Sequence, residues 1–336
     1  MKKIQSFKLP LINAHTHAAM IAFRGMAEDM PLQKWLNEYI WPAEKSQVTA
    51  DFVYKKTREA ILEMRNNGIK VFSDMYFFED RVAEIAKELG MHAIIGEGIL
   101  DFPTPGAKTP EKALEITEEL LIKYKDDPLI KVAIAPHSIY TVSEKNLIKA
   151  QELAEKYDAP LHIHLAETKL EFDECLKKNK LTPVAYLDRL GMLNEKSILA
   201  HCVWVTDADI KIMAEKKVNV VHCPLSNLKL GSGIAPIAKM LAKKINVCLG
   251  TDGAASSNRL DIWEAGKFAA LIQKGATLDS SKISTQDVVK MMTINGLKAL
   301  GFSEIDSRKV SDMEKEIEKE NYNFLYELNS NEVDFE

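Results

Sequence analysis

The chain has 336 residues, of which 46% are hydrophobic, and a formal net charge of −5. That length and apolar content supply a substantial core, and α/β barrels reach this size as a single domain. The mild acidity excludes the clustered basic footprint of a nucleic-acid binder, and no apolar run approaches the ~18 residues of a membrane span.

The opening stretch, Met1 to Lys8, is basic but lacks the apolar segment of a signal peptide. Cys175, Cys202, Cys223 and Cys248 form no Cys-x-x-Cys pair and sit mostly inside apolar runs. They read as reduced, buried thiols of a cytoplasmic protein.

Eight apolar, β-branched runs follow one another: Leu9 to Ala14, Gly68 to Asp74, His92 to Leu100, Ile130 to Ala135, Pro160 to Leu165, Ser197 to His201, Val218 to His222 and Ile245 to Gly250. Segments of helical period separate them, among them Asp51 to Asn67, Glu111 to Lys125 and Ser143 to Tyr157. Glu79 to Leu89 sets Val82, Ile85, Ala86 and Leu89 on one face, and Gly90 follows as a stop. Strands that are apolar throughout, alternating with helices, predict a parallel sheet covered on both faces. Eight such units predict a (β/α)8 TIM-type barrel over residues 1–302.

Two regions leave this rhythm. Residues 18–46 form a long insertion after the first strand, rich in aromatics and methionine, expected over the barrel mouth as a pocket wall or lid. Residues 303–336 form an acidic tail, expected as a strand around Asn323 to Leu328 and otherwise as a loosely held helix or disorder.

In a barrel of this kind the chemistry sits at the C-terminal ends of the strands. Those ends carry His15 and His17, Asp74, His137, His162 with His164 and Glu167, His201, His222, and Asp252. Seven of the eight histidines lie there, all except His92, which points to one shared site. His15 and His17, two residues apart, face one side of a strand. With His164 and Asp252 they make a zinc-type set of three imidazoles and a carboxylate that leaves a position for water. Asp252 can also take the water's proton, Glu167 is placed to exchange a proton with substrate, and His201 to orient the attacking group. A binuclear centre would want a bridging acid group on the fourth strand, where Ala135-Pro136-His137-Ser138 offers no lysine. One divalent metal is expected, zinc first and ferrous iron as the alternative. His162 and His222 read as hydrogen-bonded interior residues, and Asp74 as either a supporting group or a ligand. Cys202 and Cys223 each neighbour a strand-end histidine and are expected to face away.

The segments Asn13-Ala14-His15-Thr16-His17, His162-Ile163-His164-Leu165-Ala166-Glu167, Ala200-His201-Cys202, His222-Cys223-Pro224-Leu225-Ser226-Asn227 and Gly250-Thr251-Asp252-Gly253 resemble the amidohydrolase superfamily. Trp41-Pro42-Ala43-Glu44, Asp74-Met75-Tyr76-Phe77 and Thr251 to Asn258 narrow the likeness to the 5′-methylthioadenosine/S-adenosylhomocysteine deaminases. The likeness runs from Leu11 to Phe302. It implies His15, His17, His164 and Asp252 as metal ligands, and Glu44 and His137 as substrate contacts, with Glu44 on the ribose hydroxyls. It also implies that Glu167 protonates N1 of an adenine ring as hydroxide attacks C6, releasing ammonia and an inosine-type product.

Members of that family carry a small β-sandwich beside the barrel. Only Met1 to Pro10 precede the first strand here and the tail is unlike the usual one, so the sandwich is expected to be largely missing. No arginine lies between Arg81 and Arg189, so a substrate carboxylate would have to look to Lys108 or Arg24. A neutral methylthio tail against Phe102, Pro103 and Pro105 is the better match. The expected partner is a small nucleoside rather than a nucleic acid or a membrane, with self-association left open. The alternatives are a deaminase or hydrolase of another aminated heterocycle (aminofutalosine, guanine or a triazine) and a catalytically silent truncated scaffold.

Overall fold

Branched aliphatic residues buried on both faces fit the interior of a parallel sheet, and each apolar run forms one of its strands. A computed structural model describes residues 5–305 and 307–335. Its barrel strands are β1 Leu11–Thr16, β2 Ile69–Tyr76, β3 His92–Ile99, β4 Ile130–Val132, β5 Leu161–Leu165, β6 Ser197–His201, β7 Asn219–His222 and β8 Asn246–Leu249. Parallel ladders run through β1-β2-β3-β4 and through β5-β6-β7-β8. Beyond β4 the chain pairs with β3 again at Ala135–Pro136, and bridges at Ile134–Leu161 and Ser138–His164 join it to β5.

The seam between β8 and β1 lies under the site. Asp252 N–H donates to the His15 carbonyl at 3.0 Å. Asn13 accepts from Thr251 N–H at 2.9 Å and donates to Thr251 Oγ1 at 2.8 Å. Eight parallel strands in chain order give the expected (β/α)8 architecture. Helices between them start where sequence chemistry says they should: Thr49, Thr109, Thr168 and Thr182 each accept a first-turn N–H.

Two segments frame the barrel. Residues 18–47 form a 3-10 turn (Ala18–Phe23), a short helix (Leu32–Trp35), a π-helical turn (Leu36–Ile40) and a further helix (Trp41–Gln47) across the mouth. The tail differs from expectation. Val310–Lys319 is an amphipathic helix that buries Val310, Met313 and Ile317 at helical spacing. In place of a strand at Asn323 to Leu328 there is a 3-10 turn, Asn323–Leu325, with Leu325 fully buried. The strand comes later, at Val333–Phe335, and pairs in parallel with Gln5–Phe7. Phe324 stacks on Trp263 at 5.9 Å, and Trp263 Nε1 donates to the Leu328 carbonyl at 3.1 Å. The tail is therefore packed onto the barrel.

Candidate active site

His15, His17, His164 and Asp252 converge at the C-terminal mouth. The three histidine donor nitrogens lie within 4.8 Å of one another. Asp252 Oδ1 is 3.1 Å from His17 Nε2 and 3.7 Å from His15 Nε2, and His164 Nε2 is 3.3 Å from His17 Nε2. What aims these atoms inward is the hydrogen bond each ring makes at its back. His17 Nδ1 bonds the Met75 carbonyl at 2.5 Å and His164 Nδ1 the His137 carbonyl at 2.8 Å, so both rings carry the proton on Nδ1. His15 Nδ1 meets His162 Nε2 at 3.0 Å, leaving His15 Nε2 buried without a hydrogen bond. Three Nε2 atoms therefore face one point, with outer groups of the kind that orient metal-bound imidazoles.

The charges agree with that reading. Burial, then repulsion from neighbouring rings, holds His15 and His164 well below the usual histidine range, so both are neutral. Burial would also lower His17, but the hydrogen bond and charge of Asp252 override it and lift it to about 9. Burial would raise Asp252, yet the bond from His17 holds it well below the usual range. A buried carboxylate thus takes a cation from the nearest imidazole, which is the demand a divalent ion meets. Three nitrogen donors and one carboxylate oxygen with no thiolate suit zinc among the common ions, and the donor set fits the single metal expected. Asp252 is itself held in place: Ser226 and Ser256 donate to Oδ2 at 2.6 and 2.8 Å, and Gly253 N–H donates to Oδ1 at 2.8 Å.

Around this cluster lies a pocket. Glu167 and His201 stand on one side, with His201 Nε2 3.9 Å from Glu167 Oε2. Burial raises the Glu167 carboxyl, and Ser232 donates to it at 3.2 Å. Glu44 lines the pocket on the insertion, beside Tyr76, and burial lifts it to about 7. His137 is lowered to about 3 by burial, and Thr141 lies 2.9 Å from its Nδ1. Every residue assigned to the site from sequence therefore meets here.

Several finer expectations change. Cys223 faces the cluster: its sulfur lies within 4.8 Å of donor nitrogens of His15 and His201. Strand alternation stops at His222, and Cys223 takes φ −113° and ψ 71° at the start of helix Pro224–Lys229, so its neighbour no longer dictates its direction. His222 is buried with both ring nitrogens unpartnered, contrary to the expected core hydrogen bond. His162 does sit as a bonded interior residue between His15 and Ser73. Asp74 Oδ1 accepts Ala18 N–H at 2.8 Å, a backbone contact outside the three-histidine cluster. Among the described residues no lysine or arginine lines the pocket, and Arg24 is paired with Glu63 at 2.6 Å. The apolar wall is Leu32, Trp35, Leu36, Ile40, Trp41, Phe77 and Leu100. Phe102 packs behind it, edge-on to Trp41 at 5.1 Å.

Two further residues belong to the site without a place in the strand-end pattern: Tyr140, which lines the pocket, and Glu171, which accepts the backbone N–H of both Ala166 and Glu167. Only Glu171 carried a signal, as the last residue of the cap pattern Thr168-Lys169-Leu170-Glu171.

A model of the amidohydrolase family matches residues 10–307. The chain is 49% identical over 290 residues to the 5-methylthioadenosine/S-adenosylhomocysteine deaminase of Thermodesulfovibrio yellowstonii, covering 86% of this chain and 66% of that protein. It is 44% identical over 289 residues to the 5′-deoxyadenosine deaminase of Methanothrix thermoacetophila, covering 86% and 68%. The chain thus spans about two thirds of the length of these curated relatives. An adenosine deaminase from Xanthomonas campestris with bound zinc superposes with a TM-score of 0.86 at 39% identity, over 88% of this chain and 67% of that one. Guanine deaminase from C. acetobutylicum with bound guanine gives 0.79 at 26%, over 87% and 73%. A family match over residues 10–307 establishes that the chain belongs to the amidohydrolase family.

Proposed function

We propose that the protein is a zinc-dependent hydrolytic deaminase of adenosine derivatives that carry a neutral, apolar 5′ group, with 5′-methylthioadenosine or 5′-deoxyadenosine as the reference substrates. The observation that carries this reading is the polarity of the pocket. The pocket is lined by the protonatable groups of the histidine cluster, by the acidic Glu44 and by an apolar wall, and among the described residues no lysine or arginine lines it. The relatives named as deaminases of methylthioadenosine, S-adenosylhomocysteine and 5′-deoxyadenosine support the substrate class.

His15, His17, His164 and Asp252 would hold the ion. When bound, it supplies Lewis-acid activation of water, whose pKa such ions bring from ~15.7 to ~7. The chain's residues do the rest. Asp252 is placed to accept the water's proton as oxygen adds to C6 of the ring. The Nε2 lone pair of His201 accepts a hydrogen bond from the attacking group and fixes its direction. Burial raises the Glu167 carboxyl, which favours its protonated form, and Glu167 delivers that proton to N1 as the ring loses aromaticity. Asp252 then passes its proton to the exocyclic nitrogen, and the added hydroxyl gives its own to the Glu167 carboxylate. The C6–N bond breaks, ammonia leaves, and the oxygen remains as the carbonyl of the inosine-type product. Glu44 accepts from the ribose hydroxyls, and His137 contacts the substrate on the opposite wall. A homocysteine tail would bring a carboxylate to a wall lacking a partner. The four buried free cysteines support a reducing compartment, the cytoplasm.

The test is ammonia release by zinc-loaded protein on methylthioadenosine, 5′-deoxyadenosine, S-adenosylhomocysteine and guanine, with His164→Ala as control. The expected result is turnover of the first two at the highest kcat/KM, abolished together with metal content in the control. Comparable kcat/KM on S-adenosylhomocysteine would overturn the neutral-tail preference. Full metal with no release from any adenosine derivative would overturn the reaction itself.

A further inference from the structure

Glu171 is a buried carboxylate that the reaction scheme leaves unused, and its hydrogen bonds are unusual. It stands at the third position of helix Lys169–Asn179, whose N-cap Thr168 accepts Glu171 N–H at 3.2 Å. In an ordinary capping box the acidic residue there bends back to the N-cap backbone N–H. Here it reaches past the cap. One oxygen accepts Ala166 N–H and the other Glu167 N–H, both at 2.8 Å.

Those two amides belong to the turn that presents Glu167. Ala166 holds φ at +53°, a left-handed conformation uncommon for a residue with a Cβ. It lets the chain leave β5 and point Glu167 into the mouth. The outer side of the turn is stitched to the strand carrying His201: the Leu165 carbonyl accepts Cys202 N–H at 3.0 Å and the Ala166 carbonyl accepts Trp204 N–H at 2.8 Å. Glu171 closes the inner side. Glu171 is 3% exposed, and burial lifts its carboxyl to about 7. The amides of Ala166 and Glu167, and then the charge of His201, oppose that rise, and its two hydrogen-bond anchors are those amides. Burying a carboxylate is costly unless both oxygens are satisfied. Capping the helix would need only a bond back to the Thr168 N–H, and Glu171 reaches the two preceding amides instead.

Resting on the deaminase reading above, we propose that Glu171 is a positioning residue whose carboxylate clamps the backbone of Glu167, so that the Glu167 carboxyl meets the ring nitrogen it protonates. Both oxygens are required. Glutamine keeps the volume but turns an N–H2 group toward one of the two amide donors, so Glu171→Gln unclamps one side while leaving the pocket lining unchanged.

The experiment compares wild type, Glu171→Gln and Glu167→Gln, all zinc-loaded, on a 6-amino and a 6-chloro purine nucleoside carrying the same 5′ group. In both reactions water adds oxygen at C6 and Glu167 protonates N1. The electron-withdrawing chlorine already activates C6, and chloride leaves with the C–Cl electron pair and needs no proton. Dechlorination therefore leans less on proton delivery by Glu167 than deamination does. Glu171→Gln is expected to lower kcat for deamination about 10²-fold, with KM and zinc content within about twofold. Its dechlorination should fall several-fold less, the bias that Glu167→Gln shows more strongly. A deamination kcat within about twofold of wild type, or equal falls in both reactions, overturns the proposal. Amide hydrogen exchange provides a readout independent of substrate: Ala166 and Glu167 amides should be protected in wild type and exchange faster in Glu171→Gln. If wild type deaminates nothing, the substrate reading falls, and unchanged exchange at those amides in the variant overturns the clamp separately.

Discussion

Asn227 accepts the Nδ1 proton of His201 at 2.8 Å, across the gap between the end of β6 and the helix that follows β7. That bond decides the tautomer. With the proton held on Nδ1, Nε2 is left as a lone pair toward Glu167 and the cluster. Two strand ends therefore have to be in register before His201 is chemically useful, and neither makes that lone pair alone.

Replacing Asn227 with leucine removes the acceptor at similar volume and frees His201 to carry its proton on the wrong nitrogen. The expected outcome is a fall in kcat of about 10²-fold, with KM and bound metal little changed. Steady-state kinetics gives the split, and ¹⁵N spectra of the His201 ring report the tautomer directly. A ring still protonated on Nδ1 in the variant, with full activity, would remove Asn227 from the mechanism.

Ser226 and Ser256 both donate to the outer oxygen of Asp252, which is 6% exposed. Removing both hydroxyls leaves a buried carboxylate oxygen short of donors and free to rotate away from His17. Ser226→Ala with Ser256→Ala should weaken metal affinity by about 10–100-fold. The single variants should each lose less, since one donor still fixes the rotamer. A competitive chelator titration measures this, and an affinity equal to wild type would show that the seryl hydroxyls do not orient the ligand.

These supporting groups mark where sequence reading stopped. His15, His17, His164 and Asp252 were legible because a barrel delivers every strand end to one rim, and period-two alternation then fixes which side each residue faces. Asn227 and Ser226 were visible only as neighbours of a motif, since their partners lie 26 residues away on other strands. Cys223 was misread because alternation ends at His222, one residue earlier. The pocket wall came from the insertion rather than from Phe102, a choice set by how the two loops stack at Trp41. The tail was least legible: its last strand pairs with Gln5–Phe7, more than 300 residues earlier, and no local pattern encodes a partner so distant.

Burial also predicts a pH dependence of stability. Glu97, 1% exposed, is lifted by burial from 4.5 to about 7, although the amides of Glu79 and Phe78 oppose the rise. Asp74 and Glu79 nearby are raised in the same direction. Between the two values the folded protein keeps a proton that the unfolded chain has released. Stability therefore falls as pH rises from about 4.5 through about 7 and is flat above it, with Glu97 contributing up to about 3 kcal/mol. Urea unfolding at about pH 5 and about pH 8 should show this loss in wild type and a smaller one in Glu97→Gln. Equal losses in the two proteins would mean that Glu97 does not carry the effect.

The contact between the two ends of the chain can be tested at Gly68. Gly68 follows helix Ala50–Asn66 with φ at +79°, and a Cβ there would lie 2.3 Å from Cγ of Phe335. Gly68→Ala thus incurs two separate costs. The left-handed backbone accounts for roughly 1–2 kcal/mol wherever the ring goes. The collision forces the Phe335 ring off Phe7 and Trp263, whose ring centres lie 6.3 and 6.0 Å away, and so loosens the strand pair at Val333–Phe335. Phe335→Ala forfeits the ring packing but removes the obstacle. Gly68→Ala should then cost only its backbone share in that background, giving a coupling of about 0.5–3 kcal/mol between the two positions by denaturant unfolding. Strict additivity would mean that Phe335 does not occupy the space beside Gly68 in solution, and that the tail is held chiefly by Leu325 and the Trp263–Phe324 stack.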